Sequence, residues 1–403
     1  MKSNSIKPDL EKEKYQKNIK KFYAFRFFKG LHLFAGVLVP FFTIWGGISF
    51  TQVMILQAIF TFSIFLLEIP TGAIADFFGR KTSLVIGAVV TAIAAAAYAI
   101  YPNFWVFVAA EVLWALGGAL LSGADHALVY DSLKELDKES SSKKVFGRMS
   151  SIGLMAIAIA APIGSLIAEA INLRATMFLS AVPMLAAAGI ALTFKEPEIG
   201  RKKKKEKYLK TIKEGINYFR RHKELRTLTF DYVPIAVLAF FMIWTYQVVL
   251  EKFAVSIALF GLVHAGITIV EIIVLNNFVS LEKIFNGKRN YLYFSAFIVG
   301  GGFILVALAP NVYIALAGIS LISAFGLTRR PLYQNYLNKF IESTNRATVL
   351  STISMIYSFT MAISNIIFGR LVDWNLEITL IIIGGLILAL AAASKLEEGL
   401  LRD

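Results

Sequence analysis

Apolar segments long enough to cross a lipid bilayer recur along almost the whole of this chain. A helix needs about 20 consecutive apolar residues to span the hydrocarbon core, and only 17% of the 403 residues are charged. In lipid, every backbone polar group must be satisfied internally, which leaves only helices and closed barrels. The short alternating segments of an outer-membrane barrel are not seen in the sequence. The sequence therefore predicts an all-α polytopic membrane protein.

Twelve segments meet the length requirement, and one basic stretch divides them into two sets of six. We expect a polar tail at residues 1–21, a first six-helix set at 22–194, a basic linker at 195–226, a second set at 227–394 and a tail at 395–403. The predicted spans are 22–45, 50–75, 82–100, 104–133, 146–171 and 175–194, then 228–250, 256–279, 291–309, 312–339, 348–372 and 378–394.

Positive charge lies on one side of this predicted topology. All but five of the 41 Lys and Arg residues fall on that side; Arg174, Lys252 and Arg370 fall on the other, and Arg329 and Arg330 lie within a span. Cytoplasmic loops carry an excess of Lys and Arg, so we expect a cell-membrane protein with both termini and the linker in the cytoplasm. The net charge of +14 then meets anionic membrane lipids, and nucleic acid is not an expected partner.

Several classes of chemistry are not supported by the sequence. The chain has no cysteine, which excludes disulfides and thiol chemistry. The four histidines lack the spacing of a metal site. The sequence contains no GxxxxGK[ST] phosphate-binding loop of the kind that would indicate transport driven by ATP. No nucleophile or paired-acid constellation suggests an enzyme. We therefore expect neither a metal nor a cofactor.

Short motifs recur in the same order in the two sets of spans, which indicates an internal duplication. Two six-helix halves in parallel repeat are a known transporter architecture, with the substrate site between them near the membrane midplane. The matching pairs are Phe41–Trp45 with Phe240–Trp244, Tyr101–Asn103 with Ala309–Asn311, and Gly79–Lys81 with Gly287–Arg289.

The second and third spans are joined by a charged turn that contains Gly72, Asp76, Gly79, Arg80 and Lys81. Glycine permits a tight turn, and the two cations suit the cytoplasmic side. The spacing G-x3-D-x2-G-R-K closely resembles the signature between the second and third helices of the major facilitator superfamily.

This resemblance implies twelve transmembrane helices in two pseudo-symmetric six-helix bundles, the MFS fold. It implies a monomeric secondary transporter that moves a small molecule by alternating access, and a turn that locks helix bundles together on the cytoplasmic side. It also implies that Asp131, near the inner end of the fourth span, pairs with Arg80; the alternative is a solvated carboxylate at a helix end.

A second segment resembles the family's antiporters. Ala161–Ser165 is similar to the helix-5 motif G-P-x2-G-G, and Pro162 matches it, but Ala161, Ser165 and Leu166 occupy the glycine positions. The resemblance implies drug/proton antiport, and the departures leave the exchange mechanism open.

Two acids within apolar spans are candidates for substrate or proton binding, because embedded charges usually face a cavity or a partner. Glu111 lies where many members of the family carry an arginine, so it would favour cationic substrates or protons; alternatively it snorkels or pairs with a neighbouring helix. Glu271 lies deep in the eighth span, where desolvation favours a protonated carboxyl. The alternatives for Glu271 are a structural ion pair and a neutral hydrogen-bonded acid.

Four further charges suggest a gate. Arg329 and Arg330 are consecutive and so point in different directions on a helix, while Glu68 and Asp125 lie at a comparable depth toward the cytoplasm. We expect acid–base pairs among them to form an inner gate, with at least one arginine facing the cavity.

Two uncharged candidates complete the expected substrate region. His32 lies in an apolar context, although a lone histidine is more often a packing residue. Trp244 belongs to an aromatic group that could line a lipophilic pocket, although packing or interface anchoring explains most such residues.

These features together favour proton-coupled efflux of a small amphipathic compound, with Glu271 or Glu111 alternating between proton and substrate. Proton-coupled uptake by symport is the alternative closest to it. A lipid scramblase or sensor built on a transporter fold is an alternative from a different class.

Overall fold

A computed structural model describes residues 3–197, 208–342 and 345–401, and these contain α-helices, short 3-10 and π segments, and no β-strand. The first half of the chain forms α1 Ser3–Gly30, α2 Leu38–Pro40, α3 Phe50–Phe78, α4 Arg80–Tyr98, α5 Phe104–Leu121, α6 Ala124–Lys134, α7 Ser142–Ala170, α8 Leu173–Leu179 and α9 Ala181–Leu192. The second half forms α10 Tyr208–Arg221, α11 Lys223–Phe240, α12 Met242–Lys252, α13 Ile257–Ile284, α14 Lys288–Ala307, α15 Val312–Ile322, α16 Arg329–Lys339, α17 Arg346–Trp374 and α18 Leu376–Ala392.

The described helices account for the predicted spans. Ten of them, some interrupted by a short break, are long and apolar enough to cross a membrane, and they match predicted spans two to eleven. The twelfth span corresponds to the shorter apolar helix α18. The first corresponds to the end of α1, α2 and the π segment Phe41–Trp45. The all-α polytopic class is confirmed.

The N-terminal tail is helical and continuous with the first span, whereas we expected the apolar helix to begin at Phe22. Its polar residues are fixed by contacts within the first half. The Asn18 side chain donates to the Ser132 hydroxyl at 3.0 Å and to the Lys195 carbonyl at 2.8 Å. Phe22 and Phe25 are fully buried, and Phe22 stacks on Phe194. These contacts explain why the helix extends so far into the polar sequence.

The turn after the second span is much shorter than the sequence suggested. Helix α3 continues through Gly72 to Phe78, and α4 begins at Arg80, so only Gly79 lies between the two helices. Gly79 has φ +92°, a conformation that glycine adopts without strain. Gly72 therefore lies within a helix, and the side chain of Asp76 lies outside the described part of the chain.

The chain divides into two compact units. One takes the described residues of Met1–Ile48, Ile59–Lys204 and Ile257–Ala265; the other takes those of Ser49–Ala58, Lys205–Ser256 and Gly266–Asp403. Each unit is built in the same way: its third span, α4 or α14, packs against the fourth and sixth spans of the same half. The span that opens each half packs against the fifth, as α1 on α7 and α11 on α17. The internal duplication seen in short motifs is thus repeated in the helix packing.

Equivalent turns in the two halves also use the same cap. The Asn103 side chain accepts a hydrogen bond from the Trp105 N–H at 2.9 Å, and Asn311 accepts one from Ile314 at 3.1 Å. An asparagine cap satisfies one of the N–H groups that a helix start leaves unpaired. The matching Pro-Asn pairs in the sequence are therefore matching helix starts.

The first unit depends on a close backbone approach at α7. A Cβ atom added to Gly164 would lie 1.5 Å from the Leu33 carbonyl oxygen, in the break between α1 and α2. A Cβ atom on Gly261 would lie 2.0 Å from the Ala161 carbonyl oxygen, on the preceding turn of α7. Small residues let transmembrane helices approach this closely.

We predict that Gly164→Ala destabilises the protein by about 1–3 kcal/mol, the usual cost of overpacking. The added methyl group meets backbone atoms, which cannot rotate away as a side chain can. Gly189→Ala is the matched control, because a Cβ atom there meets no other atom within 4 Å. Thermal unfolding of the purified protein should show a lower melting temperature for Gly164→Ala only. Equal melting temperatures for both variants would contradict the close approach.

Candidate functional site

In the first unit, Gly79 places the start of α4 against an acid from the end of the sixth span. The Glu196 carboxylate accepts hydrogen bonds from the Arg80 and Lys81 backbone N–H groups at 2.8 and 2.7 Å. A Cβ atom at Gly79 would lie 3.2 Å from that carboxylate. A negative charge is favourable at a helix N-terminus, so Glu196 fixes the direction in which α4 begins.

The Arg80 side chain reaches α6. Its guanidinium forms a salt bridge with Asp131 and donates to the Ala127 carbonyl at 2.8 Å. Asp131 is buried, so it is not the solvated helix-end carboxylate of the alternative reading. The pairing that the family resemblance implied is present.

Asp125 lies in a second charged cluster of the first unit. It is buried, and its carboxylate lies 3.4 Å from Arg26 Nη1 and 3.6 Å from Lys29 Nζ, both on α1. It also contacts His126 Nδ1 at 2.7 Å. The cationic partners of Asp125 are therefore residues of its own unit, whereas we expected Arg329 or Arg330.

Glu111 is buried, with 4% of its surface exposed, and its carboxylate accepts a hydrogen bond from the Tyr98 hydroxyl. It does not reach toward water by snorkelling. Nearby, His32 stacks on Phe34, and both rings pack edge-on against Trp114. His32 is thus a partly buried member of an aromatic cluster in the same unit.

The second unit repeats the glycine turn with a different anchor. Gly287, with φ +129°, precedes α14, and the Glu398 carboxylate accepts from the Arg289 N–H at 3.3 Å. Glu398 thus occupies the place that Glu196 holds in the first unit. A different contact lies close to this turn: the Tyr336 hydroxyl on α16 donates a hydrogen bond to Glu282 on α13.

Arg329 is the largest fully buried side chain of the described residues, with 2% of its surface exposed. Its guanidinium donates to the Ser295 hydroxyl at 2.6 Å, to the Leu292 carbonyl at 3.0 Å and to the Tyr333 hydroxyl at 3.1 Å. It lies 3.5 Å from the Asp231 carboxylate. A buried cation is tolerated only with such compensation.

Asp231 is the centre of this network. Besides the charge of Arg329, its carboxylate accepts hydrogen bonds from the Tyr333 and Ser394 hydroxyls. The network therefore joins α11, α16 and the segment that follows α18.

Arg330 is exposed and points away from this network. Its guanidinium lies 4.7 Å from the centre of the Tyr357 ring. Tyr232 stacks between Tyr357 and Tyr333, with ring centres 6.1 and 5.3 Å away. The two consecutive arginines thus have different roles, as the helical geometry predicted. Trp244 is buried within α12.

Glu68, Glu251 and Glu271 lie in or beside apolar helices and have no hydrogen-bond or ion-pair partner among the described residues. Glu68 is exposed, and Glu251 lies next to the end of α12. Glu271 is half-buried and is the fifteenth residue of the 28-residue helix α13, about 20 Å from either end at 1.5 Å per residue. Glu271 therefore forms neither the structural ion pair nor the protein hydrogen bond that we considered as alternatives.

Sequence reasoning missed several of these residues, of which Asp231 is the clearest. We expected the seventh span to begin at residue 228, which would place Asp231 in its first turn. Helix α11 begins at Lys223, which places Asp231 in the third turn. An acid nine residues inside a helix would have been recognised as embedded. Among the described residues, no group of three or more His, Asp or Glu side chains could hold a metal ion.

Comparison with solved structures shows the fold. The nucleoside transporter NupG superposes with a TM-score of 0.75 at 14% identity, over 96% of this chain and 100% of its own. A POT family transporter in complex with 5-aminolevulinic acid gives 0.74 at 13%, over 94% and 95%. A bacterial homolog of the human lysosomal transporter Spinster, inward-facing and unoccupied, gives 0.72 at 15%, over 95% of each chain.

Sequence identities this low indicate a shared fold and do not indicate a shared substrate. No curated protein sequence matches the chain significantly. The family profile described as Major Facilitator Superfamily matches residues 30–358, which is most of the chain. Both results agree with the two similarly built six-span units and with the Gly79 turn. The chain is a transporter and belongs to the Major Facilitator Superfamily.

Proposed function

We propose that this protein exports a small amphipathic compound, most favourably a cation, in exchange for protons. The observation that carries the proposal is the unpartnered Glu271 carboxylate in the middle of α13. By contrast, Arg329 and Asp125 are compensated within their own units. An ionised carboxylate without a partner is costly at this depth in a membrane, so proton or cation binding would relieve that cost.

Glu271 can bind either species but not both. Two positive charges within one poorly solvated site repel strongly, so a cationic substrate would displace the proton. Glu111 is the second proton candidate, and the Tyr98 hydroxyl would hold its ionised form by a hydrogen bond. Aromatic side chains such as Tyr232 and Tyr357 suit an amphipathic cargo.

The two glycine turns would act as gates on the cytoplasmic side. In the first unit, the Arg80–Asp131 salt bridge and the Glu196 cap fix α4 against α6. The Asp125 cluster joins α6 to α1. Together with Gly72, Lys81 and Glu68, these residues form the proposed gating set. Arg330, Trp244 and His32 are proposed substrate contacts, and the buried Arg329 would act on the substrate region by holding α16 in place.

The distribution of basic residues supports an orientation with both termini in the cytoplasm of a cell membrane. Arg329 and Asp125 are compensated within their own units, which supports a monomer as the working form. Nucleoside, peptide and Spinster-like transporters share the fold at low identity. Their variety supports a small organic substrate and favours no single one.

The first prediction concerns coupling in vesicles that contain the purified protein and an imposed pH gradient. Ethidium is the cationic probe, and a pH-sensitive dye follows proton movement. We expect ethidium-dependent proton flux in the opposite direction to the cation. Glu271→Gln should abolish this flux because a glutamine cannot release a proton.

Glu169→Gln, at an exposed site near the end of α7, is the matched control and should keep the flux. Flux that survives in both Glu271→Gln and Glu111→Gln would remove both proposed proton sites. Proton and cation movement in the same direction would indicate uptake by symport. Lipid flipping without a response to the gradient would indicate a scramblase.

The second prediction compares the two consecutive arginines by thermal unfolding. Arg329→Ala leaves Asp231 buried without its cation, which costs about 3–5 kcal/mol. Arg330→Ala removes only an exposed contact with the Tyr357 ring, worth about 0.5–1 kcal/mol. The melting temperature should fall much further for Arg329→Ala. Similar losses in both variants would show that the Asp231 network is not a stabilising element.

The third prediction tests the gate by a double-mutant cycle on the initial transport rate. Arg80→Ala and Asp131→Ala should each slow transport, and the double variant should be no slower than either, because both remove one interaction. Arg80→Ala combined with Lys134→Ala, an exposed residue at the end of α6, should give additive effects. Additive effects for the first pair would show that the salt bridge takes no part in gating.

A further inference from the structure

A recess of about 430 Å³ lies in the second unit, where the start of α11 meets the end of α18. Three cations line it: Lys223, Arg226 and Lys395. All three are exposed, and none forms an ion pair within the described part of the chain. The recess therefore holds positive charge that the protein itself does not neutralise.

The acid in the recess does not offset this charge. Asp231 also lines the recess, but its carboxylate already accepts hydrogen bonds from Tyr333 and Ser394 and lies 3.5 Å from the guanidinium of Arg329. The negative charge of Asp231 is thus already compensated by these partners within the protein. Lys223, Arg226 and Lys395 are left with an unmatched positive potential.

The backbone adds to this potential. Helix α11 begins at Lys223, and the preceding residue, His222, places no side-chain hydrogen bond on the helix start. The first N–H groups of a helix lack internal partners and favour an anion. Glu224 in the first turn offsets part of this potential, and the three cations that line the recess supply most of the attraction for an anion.

One wall of the recess is apolar. Phe230 lines it with 61% of its surface exposed, and Leu390 from α18 lies beside it. Phe230 lies on a helix apolar enough to cross a membrane, and Leu390 lies on the shorter apolar helix α18. A free anion in water would gain nothing from this apolar wall, whereas a lipid would place its acyl chain along it.

We propose that this recess binds the phosphate headgroup of an anionic phospholipid from the cytoplasmic leaflet. The leaflet, but not the binding, rests on the orientation proposed above. The headgroup would contact Lys223, Arg226 and Lys395, while an acyl chain lies along Phe230. Basic pockets between transmembrane helices at the cytoplasmic side suit such headgroups. The bound lipid would lie directly over the hydrogen bond between Ser394 and Asp231, which links α11 to the segment after α18.

The test is native mass spectrometry of the full chain from micelles that contain equal amounts of phosphatidylglycerol and phosphatidylcholine with identical acyl chains. The protein should retain phosphatidylglycerol in preference. Combined Lys223→Gln, Arg226→Gln and Lys395→Gln should reduce this retention roughly tenfold or more, since each basic residue contributes to attraction by anionic lipid.

Combined Lys138→Gln, Lys143→Gln and Lys144→Gln is the matched control. It removes the same charge from exposed lysines of the first unit and should leave retention unchanged. Circular dichroism confirms that both triple variants are folded. Equal retention by the recess variant and the unaltered protein, or an equal loss in the control, would overturn the proposal.

A further arm adds inorganic phosphate to the same mixed micelles of phosphatidylglycerol and phosphatidylcholine. Displacement of phosphatidylglycerol by millimolar phosphate would assign the recess to a free anion and overturn the lipid assignment. None of these measurements involves transport. A failure here is therefore distinct from a failure of proton-coupled export.

Discussion

Charges inside the apolar helices constrain this protein most strongly, because lipid offers no water to solvate them. Arg329 is held by Asp231 and by oxygen atoms of Leu292, Ser295 and Tyr333. Asp125 is held by two cations of α1. The contacts of Arg329 all lie within the second unit, and those of Asp125 all lie within the first. These two buried charges are therefore compensated by residues of their own unit.

The two halves hold the start of their third span in a similar way, with partly different residues. Both begin their third span after a glycine with positive φ, and in both an acid near the end of the half binds the new helix start. Other contacts differ: Arg80 joins the third span to Asp131 of the fourth in one half, whereas Tyr336 joins the fourth span to Glu282 of the second in the other. The backbone arrangement of a duplicated unit thus persists where individual side chains have changed.

The sequence predicted what depends on local pattern. The length and apolarity of the spans predicted the helical class, the spacing around Gly79 indicated the family, and the family resemblance implied that Arg80 pairs with Asp131. Long-range side-chain partners could not be predicted in the same way. Periodicity does not reveal that the tail residue Asn18 bonds to Lys195, or that Asp125 meets Arg26 and not Arg329. Asp231 was missed because the start of α11 was placed five residues too late.

Infrared difference spectroscopy of the purified protein, recorded as the pH changes, tests most directly whether Glu271 is the proton-binding group. The stretching band of a protonated carboxyl group reports its protonation without reference to any substrate. If Glu271 binds the proton, a band titrates in the unaltered protein, disappears in Glu271→Gln and persists in Glu169→Gln. A titrating band that is unchanged in Glu271→Gln would contradict this role of Glu271 and would assign the proton to another acid.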